Sequence, residues 1–322
     1  MFSCRCLFLP VIRMMLMKKI LIALAVLLLV IIAATYLFIP RELKIVATTS
    51  LNAALPGVSR SLSDNNTWKN FWPGSTVFKL DDQSYFIKGK FFNVFNIDIS
   101  SEKDTVSSSM TLLLLKSNSL TIEWTSELLN SRNPLTRITQ YRKARSIEKN
   151  MNSILKAMKH FMEQTKNIYG LDIKQTTVKD SVVISTRRLF DHHPTVKDVE
   201  DMIQSLKEYI FTNKATEHGF PMLNITKTDS SHYETMAAIP VDRELPLTGT
   251  FAPKLLLKGG NLLEAEVIGG FYKIEKALQE LENYRNDYRF NSPAIPYQRL
   301  ITDRSKEPDT TKWITILQYP VY

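Results

Sequence analysis

The chain has 322 residues, of which 44% are hydrophobic and 23% charged, a composition typical of globular proteins and not of disordered ones. Its formal net charge is +9, but no dense run of lysine and arginine stands out, which argues against nucleic-acid binding. Both cysteines, Cys4 and Cys6, precede the first apolar block, so the rest of the chain has no disulfide, thiolate nucleophile or cysteine-based zinc site.

The first predicted element is a membrane-spanning helix. The stretch "ILIALAVLLLVIIAATYLFI", Ile20 to Ile39, carries no charge and spans about 30 Å at ~1.5 Å per residue. We predict a transmembrane anchor over 20–39, preceded by a cytoplasmic N-terminus over 1–19. A cleaved signal peptide is the alternative, but its apolar region is typically about 7–15 residues long, and here apolar residues continue beyond Ala33-Ala34.

The flanking charges set the expected orientation of this segment. Lys18 and Lys19 precede it, which favours a single-pass protein with its N-terminus inside and its soluble domains outside the cytoplasm, in the periplasm. Arg41 and Lys44 follow it and weaken that prediction. Met17 is an alternative start, because "MKKILIALAVLLL" resembles an ordinary bacterial membrane leader.

A first soluble domain is predicted over 43–170. Its early part contains a short helical stretch, and then several runs of β-branched and aromatic residues predict an antiparallel sheet, among them "STVFKLDD", "SLTIEWTSELL" and "LTRITQYRK". Apolar residues then recur at intervals of three and four residues, which predicts one long amphipathic helix from Ser146 to Lys166, with Gly170 as its cap.

This order of elements resembles the SRPBCC superfamily, the START-like, helix-grip domains that include polyketide-cyclase-like proteins. The resemblance is carried by "KIVATTSLNAALPGVSRSLSDNNTWKNFWP" and by the long terminal helix. It implies a curved sheet around one helix, with an apolar or lipid-like ligand held in the cavity between them.

A second domain is predicted over 171–322, and it repeats one pattern twice. The first pass is "DSVVISTRRLF", the helix "TVKDVEDMIQSLKEYIFTN" with Thr195 as N-cap, "PMLNITKTD" and "YETMAAIPV". The second is "NLLEAEVIGGF", the helix "YKIEKALQELENYRNDY", "AIPYQRLITDR" and "KWITILQYPV". Strand, helix, strand, strand, twice over, predicts two similar halves facing each other. The overall fold class is therefore α+β.

The second pass resembles the GyrI-like small-molecule-binding domain, which is the fold of the effector-binding domain of bacterial multidrug-sensing transcription activators. The resemblance rests on the helix entry at 269–272, the Asp303-Arg304 turn and the strand from Trp313 to Val321. It implies a cleft that binds flat or cationic small molecules through aromatic faces and a carboxylate.

The resemblance also implies the candidate ligand-binding residues. Tyr272 and Trp313 match aromatic positions of the motif, and Tyr233 and Glu234 correspond to them in the first half. Many relatives carry a glutamate where this chain has Ile316. We therefore take Glu234, Glu264 or Glu266 as possible substitutes; the predicted ligand-binding set comprises Tyr233, Glu234, Glu266, Tyr272 and Trp313.

No catalytic residue, cofactor or metal is predicted, because the sequence has neither a Gly-x-Ser-x-Gly elbow nor a His-Glu-x-x-His motif. Nor does a DNA-binding module precede the second domain. The leading hypothesis is a membrane-anchored protein that binds a small hydrophobic molecule, for sensing, sequestration or envelope stress. The alternatives are a hydrolase or cyclase acting on a hydrophobic compound, and a structural, partner-binding envelope protein with collapsed cavities. The sequence predicts no particular protein partner.

Overall fold

The computed structural model describes residues 8–101, 104–229 and 231–322. Cys4, Cys6 and the start of the predicted cytoplasmic segment lie outside these residues. The described chain divides into two compact units. The first contains the residues up to Ser50, Asn65–Leu113 and Thr121–Lys159, and the second contains Leu51–Asp64, Leu114–Leu120 and His160–Tyr322. The domain limits drawn from the sequence, 43–170 and 171–322, stay a prediction.

Five helices fall in the first half of the described chain: α1 (Phe8–Phe38), α2 (Leu55–Leu62), α3 (Asn65–Phe71), α4 (Pro134–Met162) and α5 (Thr165–Tyr169). Within α1, Met17–Phe38 is long and apolar enough to cross a membrane, a property that a signal sequence would share. Nearly all of its side chains are exposed, including Leu21, Leu28 and Leu29. The end of α1 contacts the first unit, where the Tyr36 hydroxyl donates to the Arg132 carbonyl and the Arg137 guanidinium lies 4.9 Å from the Tyr36 ring centroid.

The first unit is built on a six-stranded antiparallel sheet with strand order β1-β6-β5-β4-β3-β2. Its strands are β1 (Glu42–Leu51), β2 (Lys79–Leu80), β3 (Gln83–Phe91), β4 (Val94–Ser101), β5 (Asp104–Lys116) and β6 (Ser119–Leu129). The run "SYFIKGKFFNVFNIDIS" is a hairpin, because Phe92 adopts a left-handed φ of 52° between β3 and β4. The predicted antiparallel sheet is confirmed.

Helix α4 begins earlier than the sequence indicated. The prediction of a strand at "LTRITQYRK" is wrong, because residues 135–143 form the first turns of α4. The Asn133 side-chain oxygen accepts from the Leu135 N–H at 2.9 Å, and Pro134 occupies the first helical position, where its missing N–H costs nothing. These two residues start a helix in spite of the β-branched residues that follow.

Aromatic side chains fill the core of the first unit. Trp68, Trp72, Tyr85 and Trp124 are all at least 92% buried and stack edge-on or tilted against one another at 5.3–6.5 Å. A polar chain is buried with them: the Tyr85 hydroxyl donates to Gln83 at 2.8 Å, and Asn150 of α4 donates to the same Gln83 oxygen at 3.2 Å. The side chains that join α4 to the sheet therefore occupy this interior.

The second unit is built on an eight-stranded sheet with strand order β11-β8-β10-β9-β13-β14-β12-β7. Its strands are β7 (Lys174–Thr177), β8 (Val182–Phe190), β9 (Met222–Lys227), β10 (Tyr233–Pro240), β11 (Phe251–Leu255), β12 (Asn261–Ile268), β13 (Tyr297–Leu300) and β14 (Ile314–Val321). Its helices are α6 (Val196–Thr212) and α7 (Phe271–Asp287), and a short 3₁₀ helix covers Thr310–Lys312.

The strand order confirms the predicted duplication. The triplet β8-β10-β9 of the first pass is mirrored by β13-β14-β12 of the second, and the two halves join where β9 pairs with β13. Both helices pack on one face of the sheet: Leu223 packs beneath α6 and Leu317 beneath α7, and both are cross-strand partners of Gln298. We call this the helix face and the opposite side the open face.

The short helix α2 belongs to the second unit, although it precedes most of the first in sequence. Its Arg60 forms an ion pair with the buried Asp287 of α7 at 2.7 Å, and the Tyr169 hydroxyl donates to the same carboxylate at 2.8 Å. Gly57 lies so close to this cluster that a Cβ there would be 2.5 Å from the Tyr169 hydroxyl. The absence of a side chain at Gly57 therefore sets how near α2 comes to Tyr169.

Candidate functional site

A cavity of about 610 Å³ lies on the open face of the second unit. Strand alternation places one set of side chains from six strands on this side of the sheet. The strand residues that line the cavity are Val183, Ser185, Met222, Asn224, Met236, Ala238, Lys254, Tyr297 and Pro320. Leu255 at the end of β11, the loop residues Leu256 and Leu257, and Pro293–Ile295 also line it. The cavity is therefore assembled from both halves of the duplicated sheet and from two loops.

The wall of this open-face cavity is mostly apolar, and two of its polar side chains bond to backbone carbonyls. Ser185 Oγ donates to the Ala252 carbonyl at 2.9 Å, and Asn224 Nδ2 donates to the Pro296 carbonyl at 2.8 Å. Burial raises the pKa of Tyr297 to about 12, so its phenol stays neutral at physiological pH. These contacts fix the polar side chains in place within an apolar surface.

Lys254 stands apart from the rest of the described lining because it alone carries a charged side chain. Its Nζ lies 3.1 Å from Met236 Sδ, a weak acceptor. Within the described part of the chain, no carboxylate lies at ion-pair distance from it. Burial lowers the pKa of Lys254, since removal from water disfavours the charged ammonium.

Two smaller cavities lie on the helix face. One, of about 330 Å³, is lined by Tyr233, His193, Phe271 and Gln298 among others. The other, of about 230 Å³, lies beside Arg304 and Phe220. The described residues hold no group of three or more His, Cys, Asp or Glu side chains that would suit a metal ion.

The five predicted ligand-binding residues do not converge on one cavity. Tyr233 lines the 330 Å³ cavity on the helix face, whereas its neighbour Glu234 points to the open face and pairs with Arg187 at 2.9 Å. Tyr272 is 78% exposed on the first turn of α7. Trp313 is 2% exposed, and its indole N–H donates to the Glu307 carbonyl at 2.8 Å.

Glu266 is the candidate carboxylate that lies beside Ile316, because the two residues are cross-strand partners on the open face. Partner side chains at such positions have Cβ atoms about 4.5–5.5 Å apart. Glu264, in contrast, accepts from Gln318 Nε2 at 2.7 Å. Glu266 is exposed and does not line the open-face cavity. A ligand-binding role for the five residues stays a prediction.

Sequence reasoning missed the residues that line the open-face cavity. Lys254 lies on β11, a strand whose short segment "FAPKL" contains a proline and shows no alternating pattern. Met222, Met236 and Tyr297 lie on strands that the sequence did predict. Only the cross-strand register brings these three residues together with Lys254, and a single sequence does not give that register.

No protein-family model matches the chain, and no curated protein matches it. Solved structures do show similarity. The C-terminal domain of EcmrR is 13% identical, with 47% of this chain and 98% of that chain covered, at a TM-score of 0.41. A hydrolase from Listeria innocua is 12% identical, with 47% and 91% covered, at a TM-score of 0.35. The Zhui aromatase/cyclase from a Streptomyces species is 10% identical, with 38% and 94% covered, at a TM-score of 0.27.

The EcmrR domain is GyrI-like, and the Streptomyces protein is a polyketide-type aromatase/cyclase. With identities of 13% or less, the likeness concerns chain shape alone.

Proposed function

We propose that this chain is a membrane-anchored protein that binds a small hydrophobic molecule in the open-face cavity of its second unit. The observation that carries the proposal is the cavity itself, about 610 Å³ in volume with a largely apolar wall. Ligand sites of drug-sized molecules have volumes of roughly 300–1,000 Å³ and are lined mainly by apolar side chains with a few placed polar groups. The cavity has this size and composition.

The second unit is a better candidate than the first for holding the ligand. The interior of the first unit is filled by its own buried aromatic side chains and by the chain of hydrogen bonds from Tyr85 to Asn150. A close-packed interior leaves little room for a guest molecule. We therefore place the small-molecule or lipid-like ligand of the sequence hypothesis in the open-face cavity.

Two features of α1 support a retained anchor. Its apolar side chains are exposed over Met17–Phe38, and a surface of this kind needs an apolar environment such as lipid. Its last turn is held by the first unit, where Arg137 donates from Nε to the Ile39 carbonyl at 2.9 Å and stacks on Tyr36. These contacts tie the helix to the folded part of the chain, with the two units proposed to lie outside the cytoplasm.

Such a protein would sense or sequester its ligand at the envelope. The test uses the full chain in lipid nanodiscs, with ¹³C-methyl labels on methionine. Met222 and Met236 line the cavity, so their signals report occupancy there and ignore compounds dissolved in the lipid. We expect hydrophobic compounds of a mixed panel to shift both signals, and Ala238→Phe, which places a ring in the cavity, to abolish the shifts.

The control is Leu189→Phe, which introduces the same ring at a 63% exposed position of β8 outside the cavity lining. This variant should bind as the wild type does. Recovering the bound compound chemically unchanged distinguishes binding from turnover by a hydrolase or cyclase. The proposal fails if no compound at high micromolar concentration moves the signals of Met222 or Met236.

A further inference from the structure

We propose that the ligand of the open-face cavity is an amphipathic anion, an apolar body with one acidic group that Lys254 binds. This inference rests on the proposed function of the cavity. It reverses the sign of the charge that the family resemblance implies, since that resemblance points to cationic ligands.

The first argument is the unbalanced charge of Lys254. Its ammonium lies against Met236 Sδ, with no carboxylate of the described chain at ion-pair distance. The two charged groups that act on it, Arg187 and Glu234, pair with each other at 2.9 Å and so largely cancel. A partly buried charge without a counter-ion is costly, and an acidic group on the ligand would remove that cost.

The second argument is the state of the other polar groups in the wall. Ser185 donates to the Ala252 carbonyl, and Asn224 uses one of its two N–H donors on the Pro296 carbonyl, while its Oδ1 accepts from the Thr226 hydroxyl at 3.0 Å. Lys254 has three N–H donors and one weak sulfur partner. It is therefore the charged side chain of the described wall, and its N–H donors are largely open to a ligand.

The third argument excludes a cation in the same place. The open-face carboxylates near this sheet lie outside the cavity: Glu234 is paired with Arg187, Glu264 accepts from Gln318, and Glu266 is exposed. A cationic ligand would face the Lys254 ammonium with no carboxylate side chain in the described lining to offset the repulsion.

The apolar part of the ligand follows from the remaining wall. Met222, Met236, Leu256 and Ile295 line the same cavity as Lys254, and their side chains have no strong hydrogen-bonding group. Burial of each ligand methylene contributes about 0.8 kcal/mol. An organic acid with an alkyl or aryl body fits this cavity of about 610 Å³. Its acidic group would bind Lys254, and its body would lie against the apolar wall.

The experiment compares three probes of one length: octanoate, octanol and octylammonium. The full chain is held in nanodiscs of zwitterionic lipid, so the bilayer supplies no anionic lipid, and the methyl signals of Met222 and Met236 report binding. We expect octanoate to bind the wild type about tenfold more tightly than octanol, which corresponds to about 1.4 kcal/mol, and octylammonium to bind weakest.

The variant Lys254→Leu should weaken octanoate binding about tenfold and leave octanol binding nearly unchanged. The control Lys258→Leu makes the same charge change at an exposed position that does not line the cavity, and it should keep the preference for octanoate. If Lys254→Leu does not fold, the order of the three probe affinities for the wild type still tests the inference.

The outcomes separate this inference from the proposed function. Equal binding of the three probes, or tightest binding of octylammonium, overturns the inference and leaves a cavity that binds hydrophobic molecules. A preference for octanoate that survives Lys254→Leu also overturns it. Failure of every probe to move Met222 or Met236 overturns the proposed function.

Discussion

Arg304 is a buried charge that the protein contacts through two aromatic faces and a hydroxyl, while its Nη1 has no hydrogen-bond partner. It is 8% exposed, and its guanidinium carbon lies 4.8 Å from the Trp313 ring centroid and 5.5 Å from that of Phe271. Its Nη2 donates to the Thr315 hydroxyl at 2.9 Å. Burial lowers its pKa to about 10, so it remains charged at neutral pH. Trp313 thus offers its aromatic face to a cation of the protein itself.

The raised pKa of Tyr284 predicts how the stability of the protein changes at alkaline pH. Burial raises its pKa to about 12, whereas a tyrosine of the unfolded chain titrates near 10. Between these values the folded protein keeps the proton and the unfolded chain loses it, so the free energy of unfolding falls as pH rises from 10 to 12. The contribution of Tyr284 to the free energy of unfolding is present in full below pH 10, and its size is on the order of 2–3 kcal/mol.

We expect Tyr284→Phe to flatten this decline, as measured by urea unfolding of the full chain at a series of pH values. Tyr272→Phe, at a side chain that is 78% exposed, serves as the control and should leave the slope as in the wild type. Identical slopes for the wild type and Tyr284→Phe would contradict this account.

At the scale of elements, a local capping signal predicted the start of α6. The Thr195 hydroxyl accepts from the Asp198 N–H, and the Thr195 N–H donates to the Asp198 carboxylate in return, which starts α6 where the sequence indicated. The start of α4 was missed because Asn133 and Pro134 outweigh the β-branched residues after them. Strand β11 was not predicted because it contains Pro253, a residue that is rare within strands. Lys254, which lies on this strand, was missed for the same reason. The cavity could not be predicted, because its strand residues are brought together by the cross-strand register, which a single sequence does not give.

The docking of α2 gives a prediction whose sign is opposite to helix propensity. Alanine is favoured over glycine in a helix by up to about 1 kcal/mol. At Gly57, however, a Cβ would lie 2.5 Å from the Tyr169 hydroxyl and 3.1 Å from Asp287 Oδ2. We expect Gly57→Ala to lower the free energy of unfolding by about 1–3 kcal/mol because α2 must move away.

Urea unfolding and hydrogen exchange of α7 measure this effect. Gly89→Ala provides the comparison, because a Cβ at Gly89 meets no atom within 4 Å. The variant Gly57→Ala should also expose the amides around Asp287 to faster exchange. A stabilised Gly57→Ala protein would show that α2 tolerates a wider spacing than the structure indicates.

For the molecule as a whole, the exposed apolar surface of α1 sets the expected location. Leu28 lies near the middle of Met17–Phe38 and is 59% exposed. An arginine at the centre of a spanning helix costs about 2.5–3.5 kcal/mol on insertion scales. We expect Leu28→Arg to reduce the fraction of the chain that resists extraction from membranes, and Leu28→Ile to leave that fraction unchanged.

Mass spectrometry of the membrane fraction is an independent test of the retained anchor. A retained anchor gives a chain that still contains Met17, whereas a cleaved signal sequence gives a chain that begins after it. A reporter fused to the C-terminus shows on which side of the membrane the two units lie. A chain that is fully released by alkaline extraction would refute the anchor.

The placement of α2 in the second unit has a consequence for synthesis on the ribosome. Arg60 and its partner Asp287 are 227 residues apart in the chain. At about 5–20 residues per second, α2 leaves the ribosome roughly 10–45 s before the carboxylate that it binds has been made. During that interval the eight residues of α2 lack the Asp287 carboxylate, and a segment of that length is only marginally stable as an isolated helix. The docking of α2 on the second unit therefore waits for the synthesis of α7, long after the helix residues themselves have been made.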